Sequence, residues 1–184
     1  MNVAEWQEHL RARRSGGAAG RPPAASGGPR PRIAIGADHG GFALKESLKP
    51  WIRGLGYEVD DAGTHSTDAV DYPDIAVAVA ERVTSRSCAY GILIDAAGLG
   101  SCMAANKMPG IRAATCHDEA TTRNSREHNN ANVLVLGSRV VHAGQARRLV
   151  RIWLATPFAG GRHARRVDKI DALDRRLPSR ETGA

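Results

Sequence analysis

The chain has 184 residues, 42% of them hydrophobic and 24% charged, which is enough for one ordinary domain with a real core. No apolar run approaches the roughly 18 residues of a membrane span, and no apolar stretch near the N-terminus reads as a secretory leader. Cys88, Cys102 and Cys116 form no C-x-x-C pair, which argues against a disulfide framework or zinc site and for a reducing cytoplasm. The formal charge of +7 sits at the ends: residues 1–32 carry +4, residues 162–184 carry +3, and 33–161 are neutral. The folded part therefore lacks the basic stripe that nucleic-acid binding requires.

Residues 1–14 have Val3, Trp6 and Leu10 on one helical face, predicting a short amphipathic helix. Residues 15–31 are almost wholly Gly, Pro, Ala and Ser and form a linker. A fourteen-residue helix is marginal alone in water. It is either a docking tip on a tether or a ragged end, and the pattern leaves both open.

A folded domain is expected over 32–176, with a short tail at 177–184. Its first strand, RIAIGAD, leads into a helix from Gly41 to Leu55 whose apolar face is Phe42, Leu44, Leu48, Trp51, Ile52 and Leu55. YEVDDAG reads as a second strand, and Pro73 opens a second helix over DIAVAVAERVTS. AYGILID is a continuous apolar run of the kind buried on both faces. AAGLGSCMAANK follows as a glycine turn into a helix. IRAATC, DEATTRNSREH, NVLVLG and AGQARRLVRIWLA continue as strand, helix, strand and helix. This alternation predicts an α/β fold with a five-stranded parallel sheet covered on both sides.

In such sheets ligands sit beyond the carboxyl ends of the strands. Asp38-His39, Gly63-Thr64, Asp95 to Ser101 and Gly137-Ser138-Arg139 all follow strands and are expected there. Asp95 heads a turn containing Gly98 and Gly100. Such a turn offers backbone N–H groups to a phosphate or a developing oxyanion. The carboxylate either takes a proton from carbon beside that cradle or caps the next helix; spacing does not choose between them. His128 ends a helix just before the fifth strand, as an acid–base group or a dipole partner. Arg162 and Arg166 share a helix face, as a phosphate clamp or a solvated surface. Cys102 lies beside the glycine turn, within reach of the site, whereas Cys88 and Cys116 read as core.

These residues carry a resemblance. I-G-A-D-H-G-G-F-x-L-K, D-Y-P, G-x-G-S-x-M-A-A-N-K-x-P-G-I-R-A, S-R-E-H-N-N-A-N-V-L-x-L-G-S-R-V-V and G-G-R-H-x-x-R-V recur in order from Arg32 to about Arg176. The chain resembles the family of type B ribose-5-phosphate isomerases and galactose-6-phosphate isomerase subunits. The resemblance implies a Rossmann-like three-layer α/β/α sandwich. It further implies no metal, no cofactor, and homodimers or tetramers with active sites shared between subunits. Asp38, His39 and His128 would open the sugar ring, with His128 offered by the neighbouring subunit. Asn106 and the amides of Gly98, Leu99, Gly100, Ser101 and Cys102 would hold an enediolate, and Asn129 would contact sugar hydroxyls. Arg139, Arg162 and Arg166 would bind the phosphate, with Thr64 and Tyr72 lining the sugar pocket.

The chain departs from the pattern at the base. Many type B enzymes have Cys where this chain has Asp95 and Thr where it has Ala97, and another branch has a Glu base at the position of Ser101. I-D-A-x-G-x-G-S-x-M is instead similar to one galactose-6-phosphate isomerase subunit, whose partner carries the Cys. The resemblance therefore implies either Asp95 as the base or a base from another subunit, with Asp95 preferred. Burial against the apolar strand would have to raise the carboxyl from its ordinary value of about 3.9. The expected reaction is ribose 5-phosphate to ribulose 5-phosphate. The alternatives are a hexose or tetrose phosphate, or a non-catalytic sugar-phosphate-binding subunit. The N-terminal piece resembles peptides that route enzymes into bacterial microcompartments, implying a shell-protein partner and a place in the cytoplasm, inside such a compartment.

Overall fold

A computed structural model describes residues 30–174. The helix expected over 1–14, most of the linker and the tail at 177–184 lie outside the described residues. Five strands, β1 (Arg32–Ala37), β2 (Glu58–Asp61), β3 (Tyr90–Asp95), β4 (Ala113–Thr115) and β5 (Val133–Gly137), form one sheet in the order β2-β1-β3-β5-β4. Every pairing is parallel. The helices are α1 (Phe42–Gly54), α2 (Tyr72–Thr84), α3 (Gly100–Ala105), α4 (Glu119–Glu127), α5 (Ala143–Ala155) and α6 (Arg162–Asp174).

The sheet separates two apolar layers. On one side Ile33, Ile35, Ile92, Ile94, Leu134 and Leu136 pack with Leu44, Leu48 and Ile52 of α1 and with Leu149, Val150 and Trp153 of α5. On the other, Ala34, Leu93, Val133 and Val135 pack with Ala76, Val79, Ala80 and Val83 of α2 and with Ala105 of α3. Adjacent strand residues thus face opposite layers, and β3 is buried along its whole length, as its continuous apolar run requires. This is the three-layer Rossmann-like sandwich. Among the described residues no helix is long and apolar enough to cross a membrane.

The second strand keeps four of its seven expected residues, and the third helix and the fourth strand are also shorter than expected. The third helix starts at Gly100, because residues 96–99 are used in a turn around the Asp95 side chain. The fourth strand keeps three residues, as an edge strand paired only with β5. Close approach also dictates sequence here. A Cβ on Gly41 would run into the Ile94 carbonyl, so the turn from β1 into α1 can press against the end of β3 only through glycine.

The chain passes from β1 out to β2 and returns to β3 on the other side of β1, so the strand order reverses between β1 and β3. Asp38 and Asp95 emerge on either side of that crevice.

Candidate active site

At the carboxyl rim the loops after β1, β2, β3 and β5 are stitched together by backbone hydrogen bonds. The amide of Ala37 donates to the Gly63 carbonyl at 2.8 Å, and that of Thr64 donates to the Ala37 carbonyl at 2.7 Å. The Ser138 amide donates to the Asp95 carbonyl at 2.8 Å, and that of Arg139 to the Ala96 carbonyl at 3.0 Å. Ser138 Oγ donates to the Gly40 carbonyl at 2.8 Å. Asp38, His39, Thr64, Asp95 and Arg139 therefore share one rim.

Their environments differ. Asp38 is buried and its Oδ1 accepts the Gly41 amide at 2.9 Å. His39 is exposed, and its Nδ1 accepts the Val70 amide at 3.4 Å, fastening the loop that follows β2. Thr64 is buried, whereas Tyr72 is exposed with its ring against Gly100, where a Cβ would stand 2.6 Å from Cζ. Leu99 is exposed beside them.

Asp95 is 5% exposed, and both of its oxygens are engaged. Oδ1 accepts the Ala97 amide at 2.9 Å and also the Gly98 amide, and Oδ2 accepts the Ser101 amide at 2.9 Å. The carboxylate occupies the cradle its own turn creates, as in the capping alternative. Oδ2 takes one donor and so keeps a lone pair. Gly98 makes this turn possible with φ +80. Asn106 is turned to the sheet edge, its Nδ2 donating to the Ala113 carbonyl at 2.9 Å and its Oδ1 accepting the Ala113 amide at 2.8 Å. Cys102 Sγ meets the same carbonyl at 3.4 Å.

The second group of residues lies at the opposite end of the sheet. Helix α4 runs back from the carboxyl end of β4, so its last turn and His128 reach the amino ends of the strands. Arg126, two residues earlier, donates to the Tyr90 hydroxyl at 3.0 Å, and Tyr90 is the first residue of β3 as Asp95 is its last. Five steps of strand, about 16 Å, separate those two levels. His128 Nδ1 stands 2.8 Å from Asn124 Nδ2. An amide nitrogen only donates, so Nδ1 accepts and the ring proton is on Nε2. Asn129 Nδ2 donates to Asn124 Oδ1 at 3.0 Å. Arg162 and Arg166 are exposed on the first turns of α6 beside them.

Thus Asp38, His39, Thr64, Tyr72, Asp95 to Ser101 and Arg139 gather at the carboxyl rim. His128, Asn129, Arg162 and Arg166 gather at the amino end. A groove of about 790 Å³, lined by Asn106, Ala113, Asn124, Asn129, Ile170 and Leu173, runs along the β4 edge and includes neither Asp38 nor Asp95. His163 escaped the sequence reading. It is buried between Arg162 and Arg166 with its ring stacked on His128, and its place inside R-H-x-x-R was the available signal.

Residues 33–170 match the family described as Ribose/Galactose Isomerase. The chain is 43% identical over 145 residues to ribose-5-phosphate isomerase B of Escherichia coli, covering 79% of this chain and 97% of that protein. It is 38% identical over 139 residues to D-erythrulose-4-phosphate isomerase of Pectobacterium atrosepticum, covering 75% and 91%. The solved structure of Clostridium thermocellum ribose-5-phosphate isomerase B superposes with a TM-score of 0.78 at 50% identity, covering 79% of this chain and 98% of that one.

Proposed function

The chain belongs to the ribose/galactose isomerase family of sugar-phosphate isomerases, and from that premise we propose that it interconverts ribose 5-phosphate and ribulose 5-phosphate in a site built by two copies. The observation that carries this reading is the separation of the two residue groups by the length of β3. One end offers carboxylates and the sugar-pocket loop, the other an imidazole and guanidinium groups. Only a second copy, placing its amino end against the first copy's carboxyl rim, brings the two sets to one sugar phosphate. Exposed apolar side chains support such an assembly: Tyr72, Leu99, Met103 and Val140 at the rim, and Ile170 and Leu173 on α6.

Arg162, Arg166 and Arg139 hold the phosphate by charge-assisted hydrogen bonds. His128 Nε2–H hydrogen-bonds the ring oxygen as the C1–O bond breaks, while Asp38, with His39, takes the proton of the anomeric hydroxyl and that proton passes to the freed C4 oxygen, leaving the open aldehyde. Thr64, Tyr72 and Asn129 surround the chain of hydroxyls. Asp95 Oδ2, through its remaining lone pair, takes the proton from C2 and returns it to C1 while the hydroxyl proton on O2 passes to O1, with the Gly98 to Cys102 turn on the side of the enediolate oxygens. Asn106, closed on Ala113 at the start of β4, lies away from them. No metal or cofactor enters this sequence.

A second reading has its own support. Three amide donors on one carboxylate stabilise its ionised form and make it a reluctant base, so Asp95 is then a turn holder and the base comes from another subunit. The deciding experiment is a coupled assay on ribose 5-phosphate, with deuterium wash-in at C1 of ribulose 5-phosphate, for wild type and Asp95→Asn. If Asp95 is the base, the variant melts near wild type, still binds inorganic phosphate, and loses wash-in by at least about a hundredfold. If it is a turn holder, the melting temperature falls together with activity. Hexose and tetrose phosphates assayed alongside test the choice of sugar.

The N-terminal helix and tether are read as an address. Residues 1–14 would dock their Val3/Trp6/Leu10 face on a microcompartment shell protein in the cytoplasm, leaving the isomerase domain free. Deleting 1–31 should preserve activity and abolish co-sedimentation with shell proteins; unchanged co-sedimentation rejects the address.

A further inference from the structure

At the amino end of the sheet two imidazole rings lie face to face. The centroids of His128 and His163 are 4.1 Å apart and their planes differ by 5°. The segments are tied together independently of the rings, by the Ala159 amide donating to the Glu127 carbonyl at 2.9 Å. His163 is 9% exposed, and Arg162 Nε donates to its Nε2 at 3.5 Å. His128 is therefore held on one edge by Asn124 and on one face by His163. Its Nε2–H is the edge left for a ligand.

We propose that His163 is a positioning residue for His128: the stack fixes the plane in which His128 presents its Nε2–H to the sugar ring oxygen, and links that plane to the Arg162/Arg166 arm. This rests on the reading of His128 as the ring-opening group. A hydrogen-bond donor locked on edge and face has little orientational freedom left to lose when the sugar arrives. The link to the arm is covalent and short, since His163 lies between Arg162 and Arg166 on the first turns of α6.

The charged and titratable groups facing His163 are His128 and Glu127 from α4 and Arg162 and Arg166 from α6. Burial first, then His128 and the two arginines, hold its imidazole below the ordinary value despite Glu127. It is thus uncharged at neutral pH, and the stack carries no repulsion between two imidazolium rings.

The test uses the full chain as His163→Ala, His163→Phe and His128→Asn, with two readouts. Net conversion of ribose 5-phosphate requires ring opening, because that aldose closes through its C4 hydroxyl. Deuterium wash-in at C1 of ribulose 5-phosphate does not, because the phosphate on O5 blocks ring closure of the ketose. For His163→Ala the expected result is a fall of about tenfold or more in conversion with wash-in within about threefold of wild type. Phenylalanine, which keeps a flat ring but cannot titrate, should restore conversion to within about threefold. His128→Asn should show the same selective loss. If His128→Asn is selective while His163→Ala lowers both rates together or neither, His163 has no positioning role and the proposal is overturned. If His128→Asn lowers both rates equally, the ring-opening reading falls and the proposal falls with it.

Discussion

Arg126 and Tyr90 hold each other at the foot of the central strand. The guanidinium carbon lies 4.7 Å from the Tyr90 ring centroid, and Nη2 donates to the Tyr90 hydroxyl at 3.0 Å. Trp153 covers the guanidinium from another side at 5.1 Å. The remaining hydrogen bonds go to the Ala131 carbonyl and to Asn130 Oδ1. Among the described residues no carboxylate lies within ion-pair distance of it, so aromatic faces and oxygen dipoles carry a buried charge. Burial lowers the proton affinity of the guanidinium, and the neighbouring tyrosines work against that.

Arg126→Ala would leave the Ala131 carbonyl, Asn130 and the Tyr90 hydroxyl short of a donor and open a cavity beside Trp153. We expect a loss of about 3 kcal/mol in urea unfolding. Because Arg126 ties down the turn that carries His128 and Asn129, kcat should fall as well. Arg126→Lys should recover part of the stability and less of the activity, since a point charge cannot reach three acceptors at once.

A buried ion network supports the loop after β2. Lys45 is fully buried, with Nζ 2.5 Å from Asp61 Oδ1 and 3.1 Å from Glu46 Oε1. Lys49 reaches Asp61 Oδ2 at 2.6 Å, and the Gly63 amide donates to Asp61 Oδ1 at 3.1 Å. The network is asymmetric. Lys45→Met leaves Asp61 with Lys49 and should cost about 1–2 kcal/mol, whereas Asp61→Ala leaves Lys45 buried with only Glu46 and should cost about 3–5 kcal/mol. Equal losses in thermal or urea melts would contradict this account.

The same network sets an acid limit. Burial works to raise the Asp61 carboxyl, but hydrogen bonds from Lys45, Lys49 and the Gly63 amide outweigh it, and its folded value lies below the ordinary one. A carboxyl lowered by folding contributes stability that is present above its unfolded value and lost as pH falls through the folded one. Urea midpoints should therefore fall steeply below about pH 4. An Asp61→Asn variant, already less stable at neutral pH, should show a shallower acid fall.

Gly98 carries a backbone demand of its own. With φ +80, an added Cβ would stand 2.9 Å from Thr115 Cγ2 and 3.0 Å from the Gly137 amide nitrogen. Gly98→Ala should cost about 1–3 kcal/mol and reshape the turn around Asp95. Wash-in at C1 of ribulose 5-phosphate should fall with it, whereas binding of inorganic phosphate by the amino-end arginines should not.

Much of this architecture is legible in the sequence because β3 and β5 are unbroken apolar runs and the helices between them repeat every three or four residues. That pattern fixes the layers and, through the parallel alternation, places Asp38, Thr64, Asp95 and Arg139 on one rim. The same alternation places whatever ends a helix at the other end of the sheet, which is where His128 lies. What no spacing conveys is where a side chain turns. Asp95 folds back onto the Ala97, Gly98 and Ser101 amides because the turn brings those donors within reach. Asn106 closes on Ala113 because the edge strand leaves its backbone groups unpaired. The His128–His163 stack joins segments 35 residues apart, a contact that only the packing of α6 against the end of α4 creates.

The shared site is tested most directly by subunit complementation. One variant, Asp95→Asn, is disabled at the carboxyl rim, and another, His128→Asn with Arg162→Ala, at the amino end. Each should be inactive alone on ribose 5-phosphate. Equal amounts, mixed under conditions where native mass spectrometry shows mixed oligomers, should regain about a quarter of wild-type activity if the unit is a dimer, because half the dimers then hold one intact site. Mixed oligomers with no activity above the separate variants would contradict the account.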